Sequence, residues 1–305
     1  MIEVRELTKC YGKTRAVDGL SFRVEPGRVT GFLGPNGAGK STTIRAMIGL
    51  DRPTSGEVLI DGRRYEELPR PLTAVGALLD ARAVHCGRSV RGHLAGLARS
   101  NRLSPRRVDE LLEMVGLASV ADKRAKGLSL GMAQRLGIAA ALLGDPQALL
   151  LDEPVNGLDP EGVKWIRDLI KRLASEGRVV LVSSHLMSEM ALTAEHLVVI
   201  GRGRLLADTS VADFIAGNSR SYVLIRTPEP ERVRDLLAAR GVQVDAGPDG
   251  SLEAVGTDPR TVGTLAAENR IVVYEVSPRT ASLEEAFMQF TADAVEYRAE
   301  QGAVR

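Results

Sequence analysis

The chain has 305 residues, 44% of them hydrophobic, which is enough for one large globular domain and a smaller one. Its 40 Lys and Arg nearly balance 39 Asp and Glu, and the formal net charge of +1 gives no bulk basic footprint for nucleic acid or an anionic membrane surface. Cys10 and Cys86 lie far apart and outside any CxxC or Cys/His cluster, so they read as reduced thiols and not as metal ligands. The amino terminus is charged from Glu3 and lacks the apolar core of a signal peptide. The richest apolar run, Leu136 to Leu143, stops at Gly144-Asp145-Pro146, well short of the roughly 20 residues that cross a bilayer.

Strand-like segments open the chain at Ile2 to Leu7, Leu20 to Val24, Val29 to Leu33 and Val58 to Ile60, separated by Gly and Pro turns. From about 84 to 127 the pattern becomes helical and Arg-rich, with Val108, Leu111, Leu112 and Val115 on one face. Buried-strand runs return at Ala148 to Leu151 and Val179 to Ser183, with a helix from about Glu161 to Ser175 between them, which predicts a parallel sheet covered by helices. Gly217-Asn218-Ser219-Arg220 reads as a linker. Beyond it come a strand at Tyr222 to Arg226, a helix around Val233, Leu236 and Leu237, and a hairpin turning at Gly247-Pro248-Asp249-Gly250. A helix at about Pro259 to Glu268, a strand at Ile271 to Val276 and a last helix from Ser282 follow. That βαββαβ order predicts a ferredoxin-like α+β unit.

Gly34-Pro35-Asn36-Gly37-Ala38-Gly39-Lys40-Ser41-Thr42 fits the phosphate-loop pattern, with a strand before it and a helix after it. Glycines let the backbone wrap so that successive N–H groups face phosphate oxygens, and the helix start adds favourable partial charge. Lys40 is the expected partner of the β- and γ-phosphates, and the Ser41 hydroxyl the expected magnesium ligand. The plainer reading is a Gly-rich turn before an ordinary helix. The second signal is the apolar run Ala148 to Leu151 ending in Asp152-Glu153-Pro154. Strand alternation points neighbouring side chains apart, so Asp152 is expected in the magnesium shell and Glu153 beside the attacking water as general base. On its own this is also what a strand with a solvated acidic turn looks like.

The order of these motifs resembles the ATPase subunit of ABC transporters, over about residues 1 to 215. Leu128-Ser129-Leu130-Gly131-Met132 is similar to that family's signature, usually Leu-Ser-Gly-Gly-Gln, and departs from it at the third and fifth positions. The resemblance implies that Ser129 and Gly131 reach a γ-phosphate, where a lone Ser-Leu-Gly reads as a helix cap. It implies that Asn156-Gly157-Leu158-Asp159 is the D-loop, with Asp159 at the nucleotide, that His185 is the catalytic switch histidine, and that Tyr11 stacks on adenine. The family's Q-loop glutamine is missing, since no glutamine occurs between Thr43 and Ala133. Val75-Gly76-Ala77-Leu78-Leu79 leads into that position, which puts Asp80 there as a third expected metal contact. Asp80 alternatively caps a turn.

The implied architecture is a P-loop ATPase core with an antiparallel β subdomain and the helical insert, residues 1–216, followed by a small α+β accessory domain, residues 221–305. The implied function is ATP hydrolysis with magnesium, coupled to transport, and the chain resembles the ATPases of bacterial drug and antibiotic exporters. The implied partners are a second ATP-binding subunit in a homodimer and an integral membrane permease, with no nucleic acid. The implied location is cytoplasmic, on the inner face of the membrane through that permease, which the insert and Asp80 to Arg91 would contact. The rival readings are a non-transport ABC ATPase and a nucleotide-binding module with little hydrolysis.

Overall fold

The computed structural model describes residues 1–85, 87–247 and 249–291. Cys86, Pro248 of the expected hairpin turn and the end of the expected accessory domain lie outside them. The described residues form two compact units, Met1–Val211 with Thr291, and Ala212–Phe290.

The first unit begins with β1 (Ile2–Tyr11), β2 (Thr14–Val24), β3 (Val29–Leu33), α1 (Lys40–Met47) and β4 (Ser55–Ile60). It continues through α2 (Pro71–Ala74), β5 (Val75–Leu78), α3 (Val90–Ser100), α4 (Arg106–Met114) and α5 (Leu130–Ala141). Then come β6 (Ala148–Asp152), α6 (Pro160–Ser175), β7 (Val179–Ser183), α7 (Met187–Thr193), β8 (His196–Gly201) and β9 (Arg204–Ser210). β2-β1-β4 is an antiparallel sheet. The larger sheet runs β5-β6-β7-β3-β8-β9, parallel except for the β8–β9 hairpin. Every residue of β3 and β7 is buried, as expected for parallel strands covered on both faces, which is why they read as continuous apolar runs. One core joins the two sheets, and in it Phe22 and Phe32 meet with ring centroids 5.4 Å apart. In the insert, Val108, Leu111, Leu112 and Val115 are all buried, as their spacing predicts. Ser89 caps α3 by accepting from Gly92 N at 3.0 Å.

The second unit holds α8 (Val211–Asn218, from its second residue), β10 (Tyr222–Arg226), α9 (Pro230–Ala238), β11 (Gln243–Ala246), β12 (Leu252–Val255), α10 (Pro259–Glu268), β13 (Glu275–Arg279) and α11 (Leu283–Thr291, up to Phe290). Its sheet is antiparallel in the order β11-β12-β10-β13. Val223, Ile225, Leu252 and Ala254 from the strands pack on Val233, Leu237, Val262 and Leu265 from α9 and α10.

Two boundaries differ from expectation. Gly217 and Asn218, read as linker, belong to α8, where buried Phe214 anchors the helix and Asn218 Nδ2 donates to Phe214 O at 2.9 Å. The last strand begins at Glu275 and not at Ile271, because its first partner is Arg226, the final residue of β10. No helix among the described residues is long and apolar enough to cross a membrane.

Candidate functional site

The phosphate loop connects β3 to α1. Gly39 caps α1 with φ at 102°, and a side chain there would meet Ala16 O at 2.5 Å, so both conformation and space require glycine. The first-turn amides of α1 have no acceptor within the helix and remain available to an anion. Lys40, only 8% exposed, donates through Nζ to Gly34 O at 2.5 Å and Pro35 O at 3.2 Å. Its ammonium is thus folded over the loop it serves. Burial pushes its pKa down, and the charges of Glu153 and Asp152 oppose that shift. A cleft of about 430 Å³ is lined by residues 36–42 of the loop and by Ala16, Leu79, Asp152, Glu153 and Asn156.

Both acids line this cleft, and their backbones differ. Asp152 is the last residue of β6, and Glu153 has left the strand with φ at 51°, a left-handed conformation costly for a side chain of its size. Glu153 N donates to both Ser183 O, at 3.2 Å, and Ser183 Oγ, at 3.1 Å. Ser183 Oγ in turn donates to Asp152 Oδ1. One hydroxyl at the end of β7 therefore fixes both acidic residues. Gln134, buried on α5, donates from Nε2 to Glu153 O at 3.1 Å.

His185 follows β7, and its Nδ1 lies 2.8 Å from Glu153 Oε2. When the carboxylate is ionised, Nδ1 carries the proton and donates. Ser129 caps α5, accepting from Met132 N at 3.2 Å, and Asp159 caps α6, accepting from Gly162 N at 2.9 Å. Gly131 is pressed against the D-loop segment: a Cβ there would meet Gly157 O at 2.8 Å. Within this single chain, Ser129, Gly131 and Asp159 are not among the residues lining the phosphate cleft.

Tyr11, at the end of β1, is 46% exposed, and its phenol donates to Asp51 Oδ2 at 2.7 Å. That bond is the main reason its pKa is raised, while Arg45 and then Tyr11 hold Asp51 below the usual carboxylate range. Asp80 departs from its expected place. It is exposed, the neighbouring Leu79 lines the cleft, and Asp80 Oδ1 accepts from Arg82 N at 2.8 Å while its carbonyl accepts from Ala83 N at 3.1 Å. Asp80 thus makes turn bonds two residues after β5 ends at Leu78, and it is not among the residues lining the cleft. Sequence reasoning missed Gln134, Ser183 and Asp51. Gln134 alone left a trace, as a polar residue amid the apolar positions of α5.

Among groups of His, Cys, Asp and Glu, no cluster of three or more that could hold a metal by itself occurs in the described residues. Ser41 and Asp152 nevertheless line one cleft and offer hard oxygen donors, which suits magnesium, since that ion takes one or two protein oxygens and completes its shell from phosphates.

Residues 17–156 match the ABC transporter family model, and residues 221–284 match a domain of unknown function. The chain is 36% identical over 306 residues to an uncharacterized ABC transporter ATP-binding protein of Bacillus subtilis, covering 97% of each. It is 38% identical over 245 residues to the bacitracin transport ATP-binding protein of Bacillus licheniformis, covering 78% of each. Among solved structures it is similar to a dimeric ATP-binding cassette in a post-hydrolysis state bound to ADP and Pi, with a TM-score of 0.63 and 25% identity, over 69% of this chain and 98% of that one. With the phosphate loop, the acids and His185 arranged as described, this chain belongs to the family of ABC transporter ATP-binding proteins and is an ATPase of that class.

Proposed function

We propose that the cleft over α1 binds ATP with magnesium and that Glu153 is the general base for hydrolysis. The observation carrying this reading is the meeting of Glu153 and His185 at 2.8 Å beside the phosphate loop. Residues 34–42 cradle the phosphates, Lys40 leaves its loop carbonyls for the β- and γ-phosphates, and Tyr11 receives the adenine. Ser41 and Asp152 would hold magnesium, which neutralises charge on the phosphates. His185 orients Glu153 and the water. Ser129, Gly131 and Asp159, capping or opening helices away from their own cleft, serve the cleft of a second copy in a head-to-tail homodimer.

The dimeric, ADP-bound cassette supports that arrangement, and the bacitracin transport relative supports coupling to export of a drug or antibiotic. The mechanical output passes to an integral membrane permease through the insert formed by α3 and α4, which positions the chain at the membrane's inner face. Helices α9 and α10 between antiparallel strands ordered β11-β12-β10-β13 support a ferredoxin-like accessory domain in the second unit.

Glu153→Gln tests the assignment. It keeps the shape and removes the base, so phosphate release should fall on the order of 10²–10⁴-fold while ATP still binds and a nucleotide-bound dimer accumulates. Turnover near that of the unaltered chain would remove Glu153 from the chemistry.

A further inference from the structure

Tyr11 is held chiefly by residues outside the nucleotide motifs, beside a hydrogen-bond contact with Thr42 of the phosphate loop. Its phenol donates to Asp51 Oδ2 at 2.7 Å, and the same oxygen accepts from Arg45 Nε at 2.7 Å. Lys9 Nζ lies 4.9 Å from the Tyr11 ring centroid and is itself anchored on Arg52 O at 2.8 Å. One face of the ring is therefore covered by an ammonium. Arg45 stands on α1, the helix that begins at Lys40, about 7.5 Å along the axis at 1.5 Å per residue. The ring and the phosphate cradle thus hang from one rigid element.

We propose that Asp51 is a positioning residue for base recognition: through the phenol it locks the Tyr11 ring at a fixed distance from the phosphate loop, with its uncovered face presented to a purine. This rests on the assignment of Tyr11 to adenine. An unanchored tyrosine turns about two side-chain torsions and must be ordered when a base stacks on it. An anchored one has lost that freedom already, so more of the stacking energy appears as affinity. The Arg45–Asp51 ion pair ties the anchor to α1.

The test compares two ligands on the full chain by calorimetry, each with magnesium: ATP, and inorganic tripolyphosphate, which has the phosphates and no base. Tyr11→Ala should weaken ATP by about ten-fold, and Tyr11→Phe and Asp51→Ala each by about three-fold, all with tripolyphosphate affinity unchanged. Asp51→Asn keeps an acceptor oxygen for the phenol and should recover most of the loss. Unchanged ATP affinity in Tyr11→Ala would remove Tyr11 from the base site and with it the parent assignment. A loss in Tyr11→Ala without one in Tyr11→Phe and Asp51→Ala would keep the ring and overturn the role of Asp51. Equal losses of ATP and tripolyphosphate in Asp51→Ala would mean damage to α1 and would overturn it too. Tyr11→Phe leaves the Arg45–Asp51 pair in place, so it reports even where Asp51→Ala fails to fold.

Discussion

At position 80 a single carboxylate has two possible employers, a metal and a turn, and geometry favours the turn. Asp80 Oδ1 already accepts the Arg82 amide, and Leu79 takes the position facing the cleft. Asn offers the same acceptor oxygen without the charge. Asp80→Asn is therefore expected to leave the magnesium concentration for half-maximal ATPase activity unchanged, with a melting temperature close to that of the unaltered chain. A raised magnesium requirement would return Asp80 to the metal site. Burial pushes the pKa of Lys40 down and the charges of Glu153 and Asp152 oppose that only in part, while its ammonium rests on the carbonyls of Gly34 and Pro35.

Among the elements, α5 has the most varied duties. Ser129 caps it, Gly131 lies against Gly157, and Gln134 a turn later holds the carbonyl of Glu153. Gln134→Leu removes the donor and leaves a backbone carbonyl short of a partner, a loss of about 1–3 kcal/mol. Glu153, the proposed base, should shift with it, so kcat is expected to fall by roughly ten-fold or more, with KM for ATP little changed, since small misplacements of reacting groups are costly. Steady-state kinetics beside a thermal melt would separate the two effects, and a lower melting temperature with full kcat would leave Gln134 purely structural. Contacts of this kind explain what the sequence could and could not disclose. The strand, loop and helix around Lys40 are contiguous, so residue types and spacing carried them. The partners of Glu153, Asp152 and Tyr11 lie 19, 31 and 40 residues away, and nothing local marks such pairs. The left-handed turn at Glu153 was equally hidden, because Glu gives none of the signals that Gly or Asn gives.

For the whole molecule, every residue assigned to nucleotide lies in the unit Met1–Val211. A chain ending at Val211 is expected to bind ATP and tripolyphosphate with the affinities of the full chain, measured by calorimetry, while the loss of residues 212–305 changes dimerisation or coupling to the permease. A folded fragment that fails to bind ATP would overturn this division of labour. The cut belongs at Val211 and not at Gly217, because stopping inside α8 would leave Phe214 without the packing that buries it.

The backbone at Glu153 carries a consequence for anyone seeking a hardier version of this enzyme. A glutamate held at φ of 51° costs on the order of 1–3 kcal/mol, a debt the Ser183 and Gln134 bonds sustain and glycine would not incur. A laboratory screen that rewards heat resistance alone will therefore drift toward glycine at the position proposed to carry the base. Any such campaign has to select for turnover at the same time, or it will harvest robust and inert proteins.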